Sequence, residues 1–218
     1  MRLINKNLSI ILFLNVFKLF ESYNLCIVGG SSSLGREIIY QSVNFNNNII
    51  ALTNNADKIK VPYRGGGLDD KSENNKIIYN SNLLVDSYNN YYKYNFNKII
   101  FTLGGKAFDK DYSDIITKNI IENYKKPINQ IILVSANGVG DSLKESNIGI
   151  QIMNNWYLKD VYRAKNIQEN IIKNYGIENK NCKIDIIRPN VLTYGQNIYN
   201  GLSREKLAEE LLDIINRK

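Results

Sequence analysis

The stretch Cys26-Ile27-Val28-Gly29-Gly30-Ser31-Ser32-Ser33-Leu34-Gly35-Arg36-Glu37-Ile38-Ile39 decides how the chain is read. Its apolar start, β-branched at Ile27 and Val28, reads as the end of a buried strand. Small residues follow, and then Leu34, Ile38 and Ile39 recur at helical spacing. Gly29 turns tightly off the strand, and Gly35 lets the helix pack close to the sheet. A helix entered this way presents unsatisfied N–H groups and its positive dipole end at the turn, an arrangement suited to a pyrophosphate. The hydroxyls of Ser31, Ser32 and Ser33 can donate to phosphate oxygens or cap the helix.

Outward from this turn, short β-branched apolar runs alternate with longer helical patterns. Strands are expected at 25–28, 48–52, 76–79, 98–103, 130–134 and 183–187, and helices at 34–43, 112–124, 154–175 and 203–215. That alternation specifies an α/β chain, a single Rossmann-type doubly wound parallel sheet with helices on both faces. The glycine-rich segment 62–75 reads as a surface loop. The segment 138–150, just after the fifth strand, is expected to border the ligand crevice of an open parallel sheet.

A length of 218 residues suits one domain, and 44% hydrophobic with 22% charged residues is a globular composition. The net charge of +7 comes from scattered lysines, not a basic block interleaved with aromatics, so nucleic acid is not an expected partner. Histidine is absent, which excludes His-based zinc sites and every Ser-His or Cys-His device. No metal site is expected. Cys26 sits in the first strand as ordinary packing.

Residues 1–24 form a separate segment ahead of a domain at 25–218. Arg2 and Lys6 precede an apolar run from Ile10 to Phe20 broken by Asn15 and Lys18. The layout is that of a signal peptide or membrane anchor, which implies a secretory, membrane-associated or organellar location. Its alternative is an amphipathic helix on a cytoplasmic protein.

The glycine turn resembles that of the atypical short-chain dehydrogenases/reductases, NmrA-like members included, with Ser32 replacing the middle glycine. Further segments follow in that family's order. Ile99-Ile100-Phe101-Thr102-Leu103-Gly104-Gly105 is similar to its fourth strand and small-residue turn, Ile131-Ile132-Leu133-Val134-Ser135-Ala136-Asn137-Gly138 to its fifth, and Ile186-Ile187-Arg188-Pro189-Asn190-Val191-Leu192 to its sixth. Leu202-Ser203-Arg204-Glu205 resembles the start of its last helix.

The resemblance implies an NAD(P)-binding protein, either an NADP(H)-dependent oxidoreductase on a small substrate or a non-catalytic dinucleotide-binding redox sensor or assembly factor with a protein partner. The short stretch from Thr193 to Gly201 argues against nucleotide-sugar chemistry. Cofactor contacts are expected from Gly29, Gly30, Ser31, Ser32, Ser33, Leu34, Gly35 and Arg36, from Thr53 and Asn54 after the second strand, and from Leu103, Gly104, Lys165 and Pro189. The second strand ends without the acid that selects NAD, so NADP is expected, with Lys58 and Arg36 as cations for its 2′-phosphate and NAD as the alternative. Asn80, after the expected third strand, stands where relatives carry an Asp directed at adenine.

For catalysis, Lys165 fits the family's lysine position and Glu169 its Lys-x-x-x-Glu pattern. Val161, however, stands where the family places its tyrosine. Tyr162 is displaced by one residue, about 100° around the helix, yet shares a face with Lys165. Ser135 completes the candidate set.

Overall fold

The computed structural model describes residues 23–44, 48–60, 83–105, 110–144, 148–152, 156–195 and 201–217. Residues 1–22 lie outside these, and so do segment 61–82 and Asn80 within it.

The β-branched runs form one parallel sheet. Its strands are β1 (Tyr23–Val28), β2 (Ile49–Leu52), β3 (Leu83–Asp86), β4 (Phe96–Phe101), β5 (Gln130–Val134) and β6 (Lys183–Ile187), in the order β3-β2-β1-β4-β5-β6. All the pairings are parallel, with Cys26 opposite Ile50 on one side and Ile99 on the other. This is the doubly wound Rossmann order, and its direction reverses between β1 and β4. The switch point lies at the carboxyl end of β1, where the glycine turn leaves the sheet.

Helices α1 (Ser33–Asn44), α2 (Ser113–Asn123), α3 (Ile148–Ile152), α4 (Lys159–Glu178) and α5 (Arg204–Asn216) connect or flank the strands. Alternate residues of each strand face opposite layers. On one face α1 and α5 bury Ile38, Ile39, Leu207 and Leu211 against Ile27, Ile49, Ile100 and Ile132. On the other, Ile120 of α2 and Ile172 of α4 pack on Val28, Ile50, Phe101 and Leu133. Each fully buried side chain of this size contributes roughly 1.5–3 kcal/mol of transfer free energy. A short parallel pair, β7 (Leu192–Thr193) with β8 (Leu202–Ser203), leads into α5. Ser203 caps α5 by accepting from the Lys206 N–H at 3.1 Å.

Three differences from expectation stand out. Among the described residues the third strand is Leu83–Asp86, and the strand expected at 76–79 lies outside them. Leu83-Leu84-Val85 is a short apolar run without the Ile-Ile signature of 76–79, and only pairing with β2 makes it a strand. Asn80 therefore precedes β3, and the residue at the strand's carboxyl end is Asp86. β4 starts two residues early at Phe96, because Phe96 stacks on Tyr124 at 4.2 Å. α4 begins at Lys159, not 154, and runs through Gly176 to Glu178. At Gly176 the helix passes so close to β6 that a Cβ would stand 2.7 Å from the Ile184 side chain, which is why glycine is kept there despite its poor helix propensity.

Candidate dinucleotide site

The switch point is built by the glycine turn itself. Gly29 adopts φ +98°, a left-handed conformation, and a Cβ there would lie 2.7 Å from Thr102 Oγ1. Its N–H donates to the Leu52 carbonyl at 3.0 Å, tying the turn to the end of β2. Gly35 is more constrained: a Cβ would fall 2.2 Å from the Gly29 carbonyl oxygen, so α1 can approach β1 this closely only with glycine.

Ser32, in the family's middle-glycine position, caps α1. Its Oγ accepts from the Gly35 N–H at 2.9 Å and donates to Thr102 Oγ1 at 3.1 Å. The Arg36 N–H donates to the Ser32 carbonyl at 2.9 Å. The substitution thus consumes the serine's hydroxyl inside the protein. Among the described residues the N–H groups of Ser31 and Leu34 donate to nothing in the protein. With no acid in the first turn of α1, these donors and the helix dipole fit a diphosphate.

At the end of β2, Thr53 Oγ1 donates to Ser31 Oγ at 2.7 Å, and Asn54 Oδ1 accepts from Ser87 Oγ at 3.1 Å. Lys58 is exposed on the one-turn helix Ala56–Lys58, whereas Arg36 is only 3% exposed within α1. The Asp86 carboxylate accepts from the Tyr94 hydroxyl, from Asn90 Nδ2 at 2.7 Å and from the Ser87 N–H at 2.7 Å. Burial would raise its pKa, but these bonds and Lys93 hold it below the usual carboxylate range. All three of these bonds come from its own segment, residues 87–94.

The second half of the sheet carries the proton-handling candidates. Tyr162, Lys165, Gln168, Glu169 and Ile172 are buried on one face of α4, the i, i+3, i+4, i+7 spacing of a helix packed on a sheet. Lys165 Nζ donates to the Leu103 carbonyl and, at 2.7 Å, to the Val134 carbonyl, which sets it between the ends of β4 and β5. Burial pushes its pKa down to about 8, against the upward pull of Asp111 and Glu169. Gly104 lies beside it, its notional Cβ 3.9 Å from Lys165 Cε.

Tyr162 shares this face with Lys165 but points elsewhere, donating its hydroxyl proton to the Asn137 carbonyl at 3.0 Å. Burial pushes its pKa up. Ser135 Oγ donates to Glu169 Oε1 at 2.7 Å, and Arg188 grips the same carboxylate with Nε at 2.8 Å and Nη2 at 2.6 Å. Pro189 enters through its carbonyl, which accepts from the Asn137 N–H at 3.0 Å. The three catalytic candidates are therefore neighbours on the fold, but each hydroxyl and the ammonium is bonded to a different protein partner.

Sequence reasoning missed three groups. Asp111, 6% exposed, accepts from the Gly105 N–H at 2.9 Å and shapes the turn after β4. Thr102 Oγ1 lies 3.1 Å from both the Val28 and Gly29 carbonyls. Tyr194, beyond β7, reaches back across the sheet to Ser33. All are ordinary polar residues in sequence, and only long-range packing gives them a place. A cleft of about 720 Å³ lined by Tyr124, Lys126, Asn174 and Tyr175 lies among the carboxyl ends of α2 and α4, at the amino ends of the strands, away from this site.

Residues 29–217 match the model of a family described as NAD(P)H-binding. No curated protein matches the chain. Among solved structures, an anaerobillin reductase from Escherichia coli is 14% identical with a TM-score of 0.60, over 88% of this chain and 90% of that one. A short-chain dehydrogenase/reductase from Vibrio parahaemolyticus is 12% identical with a TM-score of 0.58, over 88% and 93%. A UDP-N-acetylglucosamine 4-epimerase from Bacillus cereus is 17% identical with a TM-score of 0.55, over 90% and 74%. Such low identities speak for the fold alone. The family match over nearly the whole described domain, joined to the strand order and the glycine turn, makes the chain a member of the NAD(P)H-binding family with an atypical short-chain dehydrogenase/reductase fold.

Proposed function

We propose that the protein is an NADP(H)-dependent oxidoreductase that reduces a small substrate other than a nucleotide sugar. The observation carrying this reading is Lys165: a buried cation between the ends of β4 and β5, held by two carbonyls, with its pKa brought down to about 8. A strongly perturbed group at the crevice of a parallel sheet marks a functional site. Bound NADPH supplies a hydride. Below pH 8, Lys165 holds a proton at Nζ, while Ser31, Leu34 and the α1 dipole receive the diphosphate. Exposed Lys58 and the absence of an acid at Thr53-Asn54 favour NADPH over NADH.

A second reading has its own support. Because Tyr162 and Ser135 are bonded to Asn137 and Glu169, the chain also fits a dinucleotide-binding sensor or assembly factor that does not turn over. Measuring NADPH oxidation against carbonyls and quinones, together with direct NADPH and NADH binding, separates the two. Turnover that falls at least tenfold in Lys165→Met supports the first reading; binding without turnover on the whole panel overturns it. For residues 1–24, the proposal is a targeting or anchoring role, checked by fusing them to a soluble reporter; a diffuse cytosolic signal overturns it. Among the described residues no helix is long and apolar enough to cross a membrane.

A further inference from the structure

The glycine turn from Gly29 to Gly35 contains no cation, and the next basic residue, Arg36, is enclosed in α1. A pyrophosphate bound there meets backbone donors and a helix dipole but no side-chain charge from the turn. A charge arrives instead from the far end of the sequence. Tyr194 follows β7, is 5% exposed, and hydrogen-bonds Ser33 Oγ at 2.5 Å through its hydroxyl. Ser33 is the first residue of α1. The Arg204 guanidinium lies over the Tyr194 ring, 4.1 Å from its centroid. That stacking fixes the guanidinium within about one tyrosine's length of the α1 N-terminus. Two elements hold the arrangement: the β7–β8 pair aligns Thr193 with Ser203, and Ser203 caps α5 so that Arg204 occupies its first turn.

We propose that Tyr194 and Arg204 form a diphosphate clamp at the glycine turn, Arg204 supplying the positive charge that the turn lacks and Tyr194 fixing both it and Ser33 in position. The proposal rests on the reading that a dinucleotide occupies this turn. It makes the segment after β6 part of cofactor binding, and it predicts recognition of the diphosphate common to NADPH, NADH and ADP, not of the 2′-phosphate. A guanidinium suits this role because its planar fork can meet two phosphate oxygens, and charge-assisted bonds are about twice as strong as neutral ones.

Calorimetric titration of the full chain with NADPH, NADH, ADP and 2′-AMP tests it, using wild type, Arg204→Met, Arg204→Lys and Tyr194→Phe. Arg204→Met keeps an apolar side chain over the ring, and thermal melting of each variant checks that it folds. The expected result is a loss of about tenfold or more for NADPH, NADH and ADP in Arg204→Met, partial recovery in Arg204→Lys, a loss of several-fold in Tyr194→Phe, and 2′-AMP unchanged within twofold. If the wild type binds the dinucleotides and folded Arg204→Met binds them equally well, the clamp is overturned while the cofactor reading stands. Tighter binding by Tyr194→Phe also overturns the clamp, since the hydroxyl would then obstruct the site. A folded wild type that binds neither dinucleotides nor ADP overturns both. Should Arg204→Met fail to fold, the Arg204→Lys and Tyr194→Phe titrations decide, with unchanged affinity in both refuting the clamp.

Discussion

The two halves of this sheet treat their polar groups in opposite ways. Around β1 and α1, the turn is closed by glycines at distances no side chain tolerates, yet the Ser31 and Leu34 N–H groups donate to nothing in the protein among the described residues. Around β5, α4 and β6, polar side chains are consumed internally: Ser135 and Arg188 on Glu169, Tyr162 on Asn137, Lys165 on two carbonyls. The first half is a receptor left open, and the second is a cross-braced frame. Buried polar groups must be satisfied. Where the fold satisfies them itself, they hold elements together; where it leaves donors at a crevice, water or a ligand completes the set.

The contrast is broken most directly at Gly35. Gly35→Val puts a branched side chain where even a Cβ would stand 2.2 Å from the Gly29 carbonyl oxygen. It should destabilise the chain by more than about 4 kcal/mol and abolish NADPH binding, as read by denaturant unfolding and titration. A variant that binds normally would mean that α1 can shift from β1 without loss of the site.

In the braced half, Glu169→Gln should cost about 2–3 kcal/mol. Glu169 is fully buried, but Arg188 retains 25% exposure, so the figure lies below that for a wholly buried pair. Burial alone would raise the Glu169 pKa. Hydrogen bonds from Arg188 and Ser135, with the charges of Arg188 and Lys173, outweigh burial and lower it. A lowered carboxylate pKa contributes stability above the unfolded glutamate value, and that stability is lost as pH falls through the folded value. Wild type should therefore lose more stability than Glu169→Gln on acidification, and parallel losses would deny the network its role.

Lys165 gives the same direction of pH dependence in a higher window, because its burial costs stability wherever the ammonium is charged. With a folded pKa of about 8 against an ordinary 10.5, the unfolded chain binds more protons between those values. Stability should rise with pH across that window by up to about 3 kcal/mol relative to Lys165→Met, with no such difference below pH 8. Unfolding midpoints of both proteins at pH 7.5 and 10 measure it. A constant gap would show that Lys165 is charged throughout.

The smallest effect belongs to Tyr162→Phe. Losing one hydrogen bond to the Asn137 carbonyl should cost about 1 kcal/mol and leave any turnover within threefold. A fall in kcat of a hundredfold or more with NADPH affinity intact would show that Tyr162 leaves Asn137 to act as a general acid.

How much of this was legible in the sequence follows the range of the interactions. The glycine turn, five of the six sheet strands, the cap at Ser203 and the shared face of Tyr162 and Lys165 depend on spacings within a few residues, which periodicity and turn chemistry expose. β3 escaped because a short Leu-Leu-Val run becomes a strand only by pairing with β2. The sequence also singled out Lys165, Ser135 and Glu169 without saying what each would bond, and it gave Arg188 no role beside them. That was decided by tertiary structure: Lys165 Nζ meets carbonyls 62 and 31 residues away, and Tyr194 meets Ser33 across 161 residues. Local sequence determines which backbone shapes are affordable. The fate of a hydroxyl or an ammonium depends on which strand end the folded sheet sets beside it.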